Sequence, residues 1–510
     1  MARRASAWGL GFGALMVVAA AAAPVLAQEP QAAEPAPPAA EGTVELPKLT
    51  VETQAKKSTK KAAQKKQAPV ASAPAPQVQQ TSEGNEPRPE TATGPVNGYA
   101  ATRSATGIKT DTPLKEIPQS VSVVGAEQIR DQNAQSLQDA LRYVPGVVAD
   151  GYGLDSRTDT PFIRGAEAAD YVDGLRRTFN YYTYNYRIDP YFMERIEVLR
   201  GPASVLYGQA PVGGIINSVS KRPEDQQGGE IGVEYGSFDF KQVKFDTTAR
   251  VTSDGKWSYR LTGVARESET QVDYVDDDRY ALAPSITFRP DSNTSITLLG
   301  HFQEDRTGST SQFFPIVGTL IPNVNGRTIP RDRFIGEPTD HYDTDVASGT
   351  LIAEHKFNSV FKLSHVSRYA DIHNDLDSTY GMGWAGGVYN DPDQEILTRE
   401  RWIAVTDTQV FNQDTNLEAK FSTGILSHKV LGGVDYSNFQ ASQGSAAASD
   451  QGINVYNPVF GQGLWRGTDC NGKDYDGSPG VGYLPSLEIC SYYDQEVTQT
   501  GLYLQDQMRL

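Results

Sequence analysis

From residue 229 onward, polar and apolar residues alternate along segments that are each long enough to cross a membrane as a β-strand. In residues 257–266, one face holds tryptophan, tyrosine, leucine and small residues, whereas the other holds serine, threonine and two arginines. Residues 241–250 repeat this pattern. Strict alternation of this kind is typical of a strand with lipid on one side and water on the other. The sequence therefore predicts the wall of a transmembrane β-barrel.

The segments that join these strands alternate in length. Short segments occur near residues 252–256, 290–294, 357–360 and 422–427. Longer segments occur near residues 267–279, 304–342, 372–400 and 441–497. Outer-membrane barrels show the same alternation, because periplasmic turns are short and extracellular loops are long. This spacing predicts roughly ten strands in an antiparallel arrangement.

The amino terminus carries the features of an export signal. Arg3 and Arg4 precede an apolar run, and small residues end at Ala27. This pattern predicts a secretory signal peptide over residues 1–27. A twin-arginine signal is the alternative, but the residues after Arg4 do not fit its usual motif.

Residues 28–97 are dominated by alanine, proline, glutamine, lysine and glutamate. A segment of this composition cannot bury enough apolar surface to offset the entropy of ordering, so we expect a disordered linker. A short β-prone stretch at residues 44–53 interrupts it.

The net charge of −17 limits the classes of partner and activity. An acidic chain is a poor partner for nucleic acid, because binding phosphates calls for a basic surface. The composition alone would also suit a soluble enzyme. However, the six histidines are scattered, and neither a GxSxG nor an HExxH motif occurs. We therefore predict no enzymatic activity, no catalytic residues and no metal site.

Residues 98–223 have the pattern of a compact α/β unit. Residues 120–124 predict a short strand, and residues 136–143 predict a helix with Ser136 as its N-cap. Residues 194–202 alternate charged and apolar residues, which predicts a strand with one face in water.

Seven short motifs in this unit occur in the order found in the plug domain of TonB-dependent outer-membrane receptors. They are TPL at 112–114, IPQS at 117–120, LQDAL at 137–141, VPGV at 144–147, FIRG at 162–165, VDG at 172–174 and LRGP at 199–202. The sequence thus resembles this family of siderophore importers from Gram-negative bacteria, and it is nearest the ferrichrome-type hydroxamate receptors.

The resemblance implies an α/β plug domain inside a transmembrane antiparallel β-barrel of about 22 strands. The plug would occupy residues 98–223, and the amino-terminal part of the barrel residues 229–510. Roughly ten strands, about 4.8 Å apart and tilted near 40°, close to a diameter of about 20 Å. A globule of about 125 residues is some 35 Å across, so it would not fit inside. We therefore expect the chain to be a truncated product that lacks more than half of the wall.

The resemblance also implies a TonB box within residues 44–53, by which the periplasmic transducer TonB grips the receptor. Its predicted residues are Leu46, Pro47, Lys48, Leu49, Thr50, Val51, Glu52 and Thr53. An extended peptide of this kind can add itself to an exposed sheet edge through main-chain hydrogen bonds. A chance apolar patch in the linker remains the alternative.

Ligand recognition needs aromatic and hydrogen-bonding groups at the plug apex. The candidates are Tyr152, Arg157, Tyr181, Tyr182, Tyr184 and Tyr186. In the hydroxamate receptors, an arginine of the first apex loop and a tyrosine of the second contact the ligand. Tyr152 stands at the place of that arginine, which is a departure, and Tyr182 or its neighbours match the tyrosine. For each tyrosine, packing of the plug against the wall is the alternative role.

Two further expectations concern fixed contacts. In the family, arginines equivalent to Arg164 and Arg200 pair with barrel glutamates and lock the plug in place; ordinary surface charge is the alternative. Cys470 and Cys490 both lie in the longest predicted extracellular loop, where a disulfide is expected in an exported protein.

These features predict TonB-dependent import of a ferric siderophore, of the hydroxamate type, across the cell outer membrane. The siderophore already fills the coordination positions of the iron, so no protein-bound cofactor is expected. The partners implied are TonB, the ferric siderophore and outer-membrane lipid. A receptor for another chelate, such as cobalamin or haem, and a passive porin are the alternatives. A signalling transducer is disfavoured, because the linker contains no folded signalling domain.

Overall fold

The computed structural model describes residues 90–179, 182–382, 389–461 and 489–510. The predicted signal peptide, the residues 44–53 and Tyr181 therefore lie outside the described residues. The predicted disulfide also lies outside them, because Cys470 does.

The plug, defined here as residues 90–227, contains short strands and three short helices. In chain order these are β1 (Arg103–Ser104), β2 (Thr112–Pro113), β3 (Ser120–Gly125), α1 (Ala126–Asp131), α2 (Leu137–Leu141), β4 (Val147–Val148), β5 (Phe162–Ile163), β6 (Ala166–Glu167), β7 (Ala169–Val172), β8 (Leu175–Arg176), β9 (Met193–Arg200), α3 (Ser204–Tyr207) and β10 (Gly214–Ser220). Two 3₁₀ turns span Leu114–Glu116 and Pro190–Phe192. The main sheet has the order β3-β9-β10-β7-β8.

Helix α2 begins as the sequence predicts. Ser136 has extended backbone angles, and its Oγ accepts a hydrogen bond from the Asp139 N–H at 3.1 Å. This bond satisfies one of the N–H groups that have no partner in the first turn of a helix. Leu137 and Leu141 are fully buried and anchor the helix in the plug core.

The prediction that residues 194–202 form a strand with one wet face is wrong in its second part. Strand β9 is the second strand of the sheet, between β3 and β10, and every residue from Met193 to Leu199 is buried. Its charged side chains are satisfied internally, since the Glu197 carboxylate accepts from Ser104 and Thr106 at 2.6 and 2.5 Å. Buried charges are tolerated only with such partners.

In the described part of residues 228–510, ten antiparallel strands follow, and each pairs with the next along the chain. They are β11 (Gly228–Tyr235), β12 (Lys241–Arg250), β13 (Trp257–Glu267), β14 (Asp277–Phe288), β15 (Thr294–Thr307), β16 (His341–Lys356), β17 (Phe361–Gly381), β18 (Ile396–Thr423), β19 (Leu426–Asn454) and β20 (Ile489–Arg509). This number agrees with the sequence-based count.

The predicted alternation along the wall is confirmed on β13. Ser258, Arg260 and Thr262 are buried toward the plug, whereas Trp257 is exposed on the opposite face. Val264, from the inner face, joins the core cluster of the plug. The wall and the plug therefore share one core. Within the described residues, no helix combines the length and the apolar character needed to cross a membrane.

The upper ends of the strands extend further than the sequence predicts. Residues 372–381, 396–400 and 441–454 were expected in loops, but they lie in β17, β18 and β19. The sequence signal is weak here because the more exposed face is polar, as at His373 and Asp375, while apolar residues such as Ile372 and Leu376 face inward. The paired backbone of neighbouring strands keeps them in the sheet.

The expected linker boundary at residue 97 also differs from the structure. Glu90 accepts hydrogen bonds from the Thr102 N–H and hydroxyl at 3.0 and 2.6 Å, and Ala92 and Val96 are buried. Residues 90–97 therefore pack on the plug.

Candidate functional site

The first apex loop of the plug buries an ion pair. The guanidinium of Arg157 donates to both carboxylate oxygens of Asp155 at 2.9 Å, and both side chains are buried. Burial opposes ionisation of Asp155, but the charge and hydrogen bonds of Arg157 outweigh it and lower the pKa of the carboxyl. The loop is thereby held in one shape.

Arg157 also connects this loop to the second apex loop. Its remaining terminal nitrogen donates to the Tyr182 hydroxyl at 2.5 Å, and the guanidinium lies 5.0 Å from the centre of the Tyr182 ring. Burial raises the pKa of the Tyr182 hydroxyl. The sequence prediction named both residues as ligand contacts, and the structure brings them together.

Two aromatic residues of the barrel complete this arrangement. The Trp402 ring on β18 stacks on Tyr182 with a centroid distance of 5.6 Å and an interplanar angle of 11°. Tyr342 on β16 lies 5.9 Å from the same ring, and its hydroxyl donates to the Tyr182 carbonyl at 2.5 Å. We call Arg157, Tyr182, Tyr342 and Trp402 the apex cluster.

Sequence reasoning missed Trp402 and Tyr342. Each lies far from Tyr182 in sequence, and only the strand register brings them to the plug apex. A tryptophan and a tyrosine in a region of alternating residues carry no separate signal for a site.

Tyr184 and Tyr186 have a different environment from the one predicted. Tyr184 is 6% exposed and packs with Phe439, and Tyr186 is 8% exposed and packs with Val346 and Ile372. These contacts match the alternative role, packing of the plug against the wall. Neither ring is open to a ligand in this structure.

Tyr152 is separate from the apex cluster. It is 52% exposed, and its ring contacts Phe162 edge-on at 5.4 Å. Of the predicted candidates that the structure describes, it is the one that solvent reaches most freely.

Arg164 and Arg200 do not pair with a barrel carboxylate within the described residues. Arg200 donates to the Pro145 carbonyl at 2.7 Å and to Ser120 and Ser122 at 2.9 and 2.5 Å. Partial burial and the nearby charge of Arg164 lower the pKa of Arg200. The role of these two arginines as a lock stays a prediction.

Other residues join the plug to the wall by charge, and the sequence did not single them out. Between the plug and the strands, these pairs include Lys109–Asp414, Asp173–Arg368, Arg187–Asp277, Asp189–Arg279, Glu194–Arg260 and Lys221–Asp246. Most of these side chains are nearly or fully buried. The contacts are spread around the plug rather than gathered at one point.

Arg195 holds the first described residues of the plug in place. Its guanidinium is inaccessible to solvent and donates to the carbonyls of Thr91, Gly94 and Arg103 at 3.0, 3.0 and 2.9 Å. It also lies 3.3 Å from the Glu90 carboxylate. One side chain on β9 therefore fixes the segment that continues from the linker.

Both parts of the chain match a described protein family. Residues 113–215 match the TonB-dependent Receptor Plug Domain, and residues 285–510 match the TonB dependent receptor-like beta-barrel.

Among curated proteins, the ferrichrome outer membrane transporter/phage receptor of Escherichia coli K12 is 34% identical over 457 residues, which cover 86% of this chain and 57% of that protein. The ferrioxamine receptor of Yersinia enterocolitica is 33% identical and aligns over 82% of this chain and 56% of its own length. The chain thus spans somewhat more than half the length of these relatives.

Among solved structures, the ferric-catecholate import receptor Fiu of Escherichia coli K12 in its closed form superposes with a TM-score of 0.65. The identity is 20%, and the match covers 80% of this chain and 65% of that one. This likeness supports the fold alone.

Proposed function

This chain belongs to the TonB-dependent receptor family of the outer membrane, and on that premise we propose that it takes part in energy-coupled import of a ferric siderophore. The observation that carries the proposal is the apex cluster. It joins both apex loops of the plug to two strands of the wall. Arg157 and Tyr342 are buried in it, whereas Tyr182 and Trp402 are partly exposed, so a ligand lying against these two rings would contact the plug and the wall at once.

The chemistry of the apex cluster favours a chelate of the hydroxamate type. Tyrosine and tryptophan offer rigid apolar area with one polar group each, and this suits a ligand that carries little charge. The Arg157–Asp155 pair, which contacts Tyr182, is internally neutralised. The two curated relatives named above bear the names of hydroxamate siderophores, ferrichrome and ferrioxamine.

For the energy-coupling step, we propose that TonB grips residues 44–53. Force applied there would pass along the linker and arrive first at residues 90–94, which Arg195 holds. Coupling of this kind requires the ligand to favour one state of the plug over another.

The test is a binding and uptake panel with ferric trihydroxamate, ferric tris-catecholate, haem and cobalamin, using the full-length receptor in cells that lack other receptors. We expect saturable, energy-dependent uptake of the trihydroxamate. Selective uptake of another chelate would overturn the hydroxamate assignment, and uptake without energy coupling would support a passive pore.

The apex cluster itself is tested by Trp402→Leu. Loss of the ring that stacks on Tyr182 should weaken ligand binding about tenfold or more, as for aromatic hot spots in general. Tyr143→Phe, on an exposed plug tyrosine, is the matched control and should bind normally. Equal affinity in Trp402→Leu and the control would place the ligand elsewhere.

Deletion of residues 44–53 tests the coupling separately. We expect binding to persist and uptake to stop. Normal uptake by the deletion variant would contradict the proposed role of this segment.

A further inference from the structure

The second apex loop, residues 182–187, rests on one buried arginine of the plug. The side chain of Arg177 is 1% exposed. One of its terminal nitrogens donates to Asn185 Oδ1 at 2.7 Å and to the Tyr186 carbonyl. Its guanidinium also lies 4.2 Å from the centre of the Tyr186 ring. Arg177 therefore contacts the loop through its backbone, an amide side chain and an aromatic face.

The same guanidinium has a second, looser partner. Its other terminal nitrogen lies 3.5 Å from Asp170 Oδ2 on β7, at the limit of a hydrogen bond. Asp170 Oδ1 and Arg177 Nε have no hydrogen-bond partner among the described residues. A closer pairing of Asp170 with Arg177 would satisfy both atoms, but it would draw the guanidinium away from the loop.

We propose that Arg177 is the positioning residue of the second apex loop, and that Asp170 competes with this loop for Arg177, so that ligand binding at the apex depends on pH. This inference rests on the proposed function, because it concerns the loop that carries Tyr182.

The charges around Asp170 decide whether ligand affinity rises or falls with pH. Burial raises the pKa of Asp170 to about 7, the carboxyls of Asp159 and Glu167 add to the rise, and Arg177 and Arg176 oppose it. From the wall, the groups that face the loop include Asp277, which pairs with Arg187, His301, whose ring lies 6.2 Å from that of Tyr186, and Asn374, which donates to the Asn185 carbonyl at 3.1 Å.

The state seen here, with Arg177 on the loop, is the state in which Asp170 holds its proton more strongly. A state with Arg177 drawn onto Asp170 would stabilise the ionised carboxylate and lower its pKa. By linkage, acid therefore favours the loop-bound state and alkali favours the other. Ligand affinity should be highest at low pH, should fall as the pH rises toward 7, and should level off above it, where Asp170 is ionised in both states.

The test measures ferric trihydroxamate affinity of the purified receptor from pH 5.5 to 8.5. We expect the wild type to lose about fivefold or more in affinity across this range, within the span of ordinary allosteric couplings. Asp170→Asn keeps the size of the side chain but cannot ionise, so its affinity should stay at the acid value throughout. Arg177→Lys keeps the charge but lacks the planar fork that reaches the loop, so it should bind more weakly at every pH.

Glu127→Gln, which removes a carboxyl from α1, is the matched control and should retain the pH profile of the wild type. A wild-type profile in Asp170→Asn would overturn the inference, because another group, such as His301, would then be responsible. A flat profile in the wild type would overturn it as well. Absence of trihydroxamate binding at every pH would instead contradict the proposed function. Failure of the inference about Asp170 and failure of the proposed function therefore give different results.

Discussion

Arg195, Arg266 and Arg279 are among the largest side chains that solvent does not reach. Each lies beside a carboxylate: Arg195 near Glu90 and Glu197, Arg266 near Asp277, and Arg279 near Asp305. Removing a charge from water costs several kcal/mol, and only close partners offset this cost. Substitution of one partner therefore leaves a buried charge unpaired, which makes these sites sensitive to single changes.

The Arg157–Asp155 pair allows a test by pH. In Arg157→Gln, Asp155 loses the charge that lowers its pKa. In the wild type, the stability that this pair provides is complete above the unfolded pKa of about 3.9 and is lost as the pH falls through the lower folded value. We expect the variant to be less stable by about 3–5 kcal/mol at pH 7.

Denaturant unfolding from pH 7 down to pH 2 provides the measurement. The difference in free energy of unfolding between Arg157→Gln and the wild type should shrink as the pH falls. A difference in free energy of unfolding that stays constant over this range would show that the lost stability comes from packing rather than from charge.

Individual elements differ in how far the sequence predicts them. Helix α2 and strand β3 follow from the Ser136 cap and the β-branched run at residues 120–124, because these signals are local. Strand β9 was predicted as a strand, but its burial depends on neighbours that arrive from residues 90–106 and from β10. The register between distant strands decides which wall residues meet the plug, so Trp402 could not be predicted as a partner of Tyr182.

The segment from Glu90 to Arg103 is held to β9 largely by Arg195, and this too can be tested. In Arg195→Met the carbonyls of Thr91, Gly94 and Arg103 lose their donor. We expect faster hydrogen exchange across residues 90–104 and a loss of about 3–5 kcal/mol in plug stability.

The control is Arg142→Met, since Arg142 lies on the surface at the end of α2 and its pairing with Asp139 is half-exposed. Such a pair contributes about 0–1 kcal/mol. Unchanged exchange of residues 90–104 in Arg195→Met would mean that other contacts hold this segment.

At the scale of the whole molecule, the plug and the wall are joined by several dispersed ion pairs and by a shared apolar core. Lys109 illustrates one such connection. It pairs with Asp414 on β18, and its ammonium lies 4.9 and 4.4 Å from the ring centres of Tyr207 and Tyr503. Asp414 in turn accepts a hydrogen bond from the Tyr503 hydroxyl at 2.6 Å.

A charge exchange measures the strength of this connection. Lys109→Asp and Asp414→Lys should each destabilise the plug, because each places like charges together in a buried site. The double variant restores opposite charges, and we expect it to recover about 0.5–3 kcal/mol relative to the sum of the single changes. The backbone does not prevent the exchange at position 109. Its φ of 53° lies in the left-handed region, which aspartate adopts more readily than most residues.

Thermal unfolding gives the change in stability for each of the two single variants and for the double variant. Simple additivity would show that Lys109 and Asp414 act independently.

The length of strand β18 fixes the distance between the apex cluster and the turn at its far end. From Thr423, at the turn between β18 and β19, to Trp402 the strand runs 21 residues, which at about 3.4 Å per residue and a tilt near 40° is a height of some 55 Å. The apolar band of an outer-membrane barrel is only about 25 Å tall. With the turn at the lower edge of that band, the apex cluster would stand some 30 Å above the hydrocarbon. Under the proposed function, a chelate would therefore reach the apex cluster from the aqueous side, without entering the bilayer.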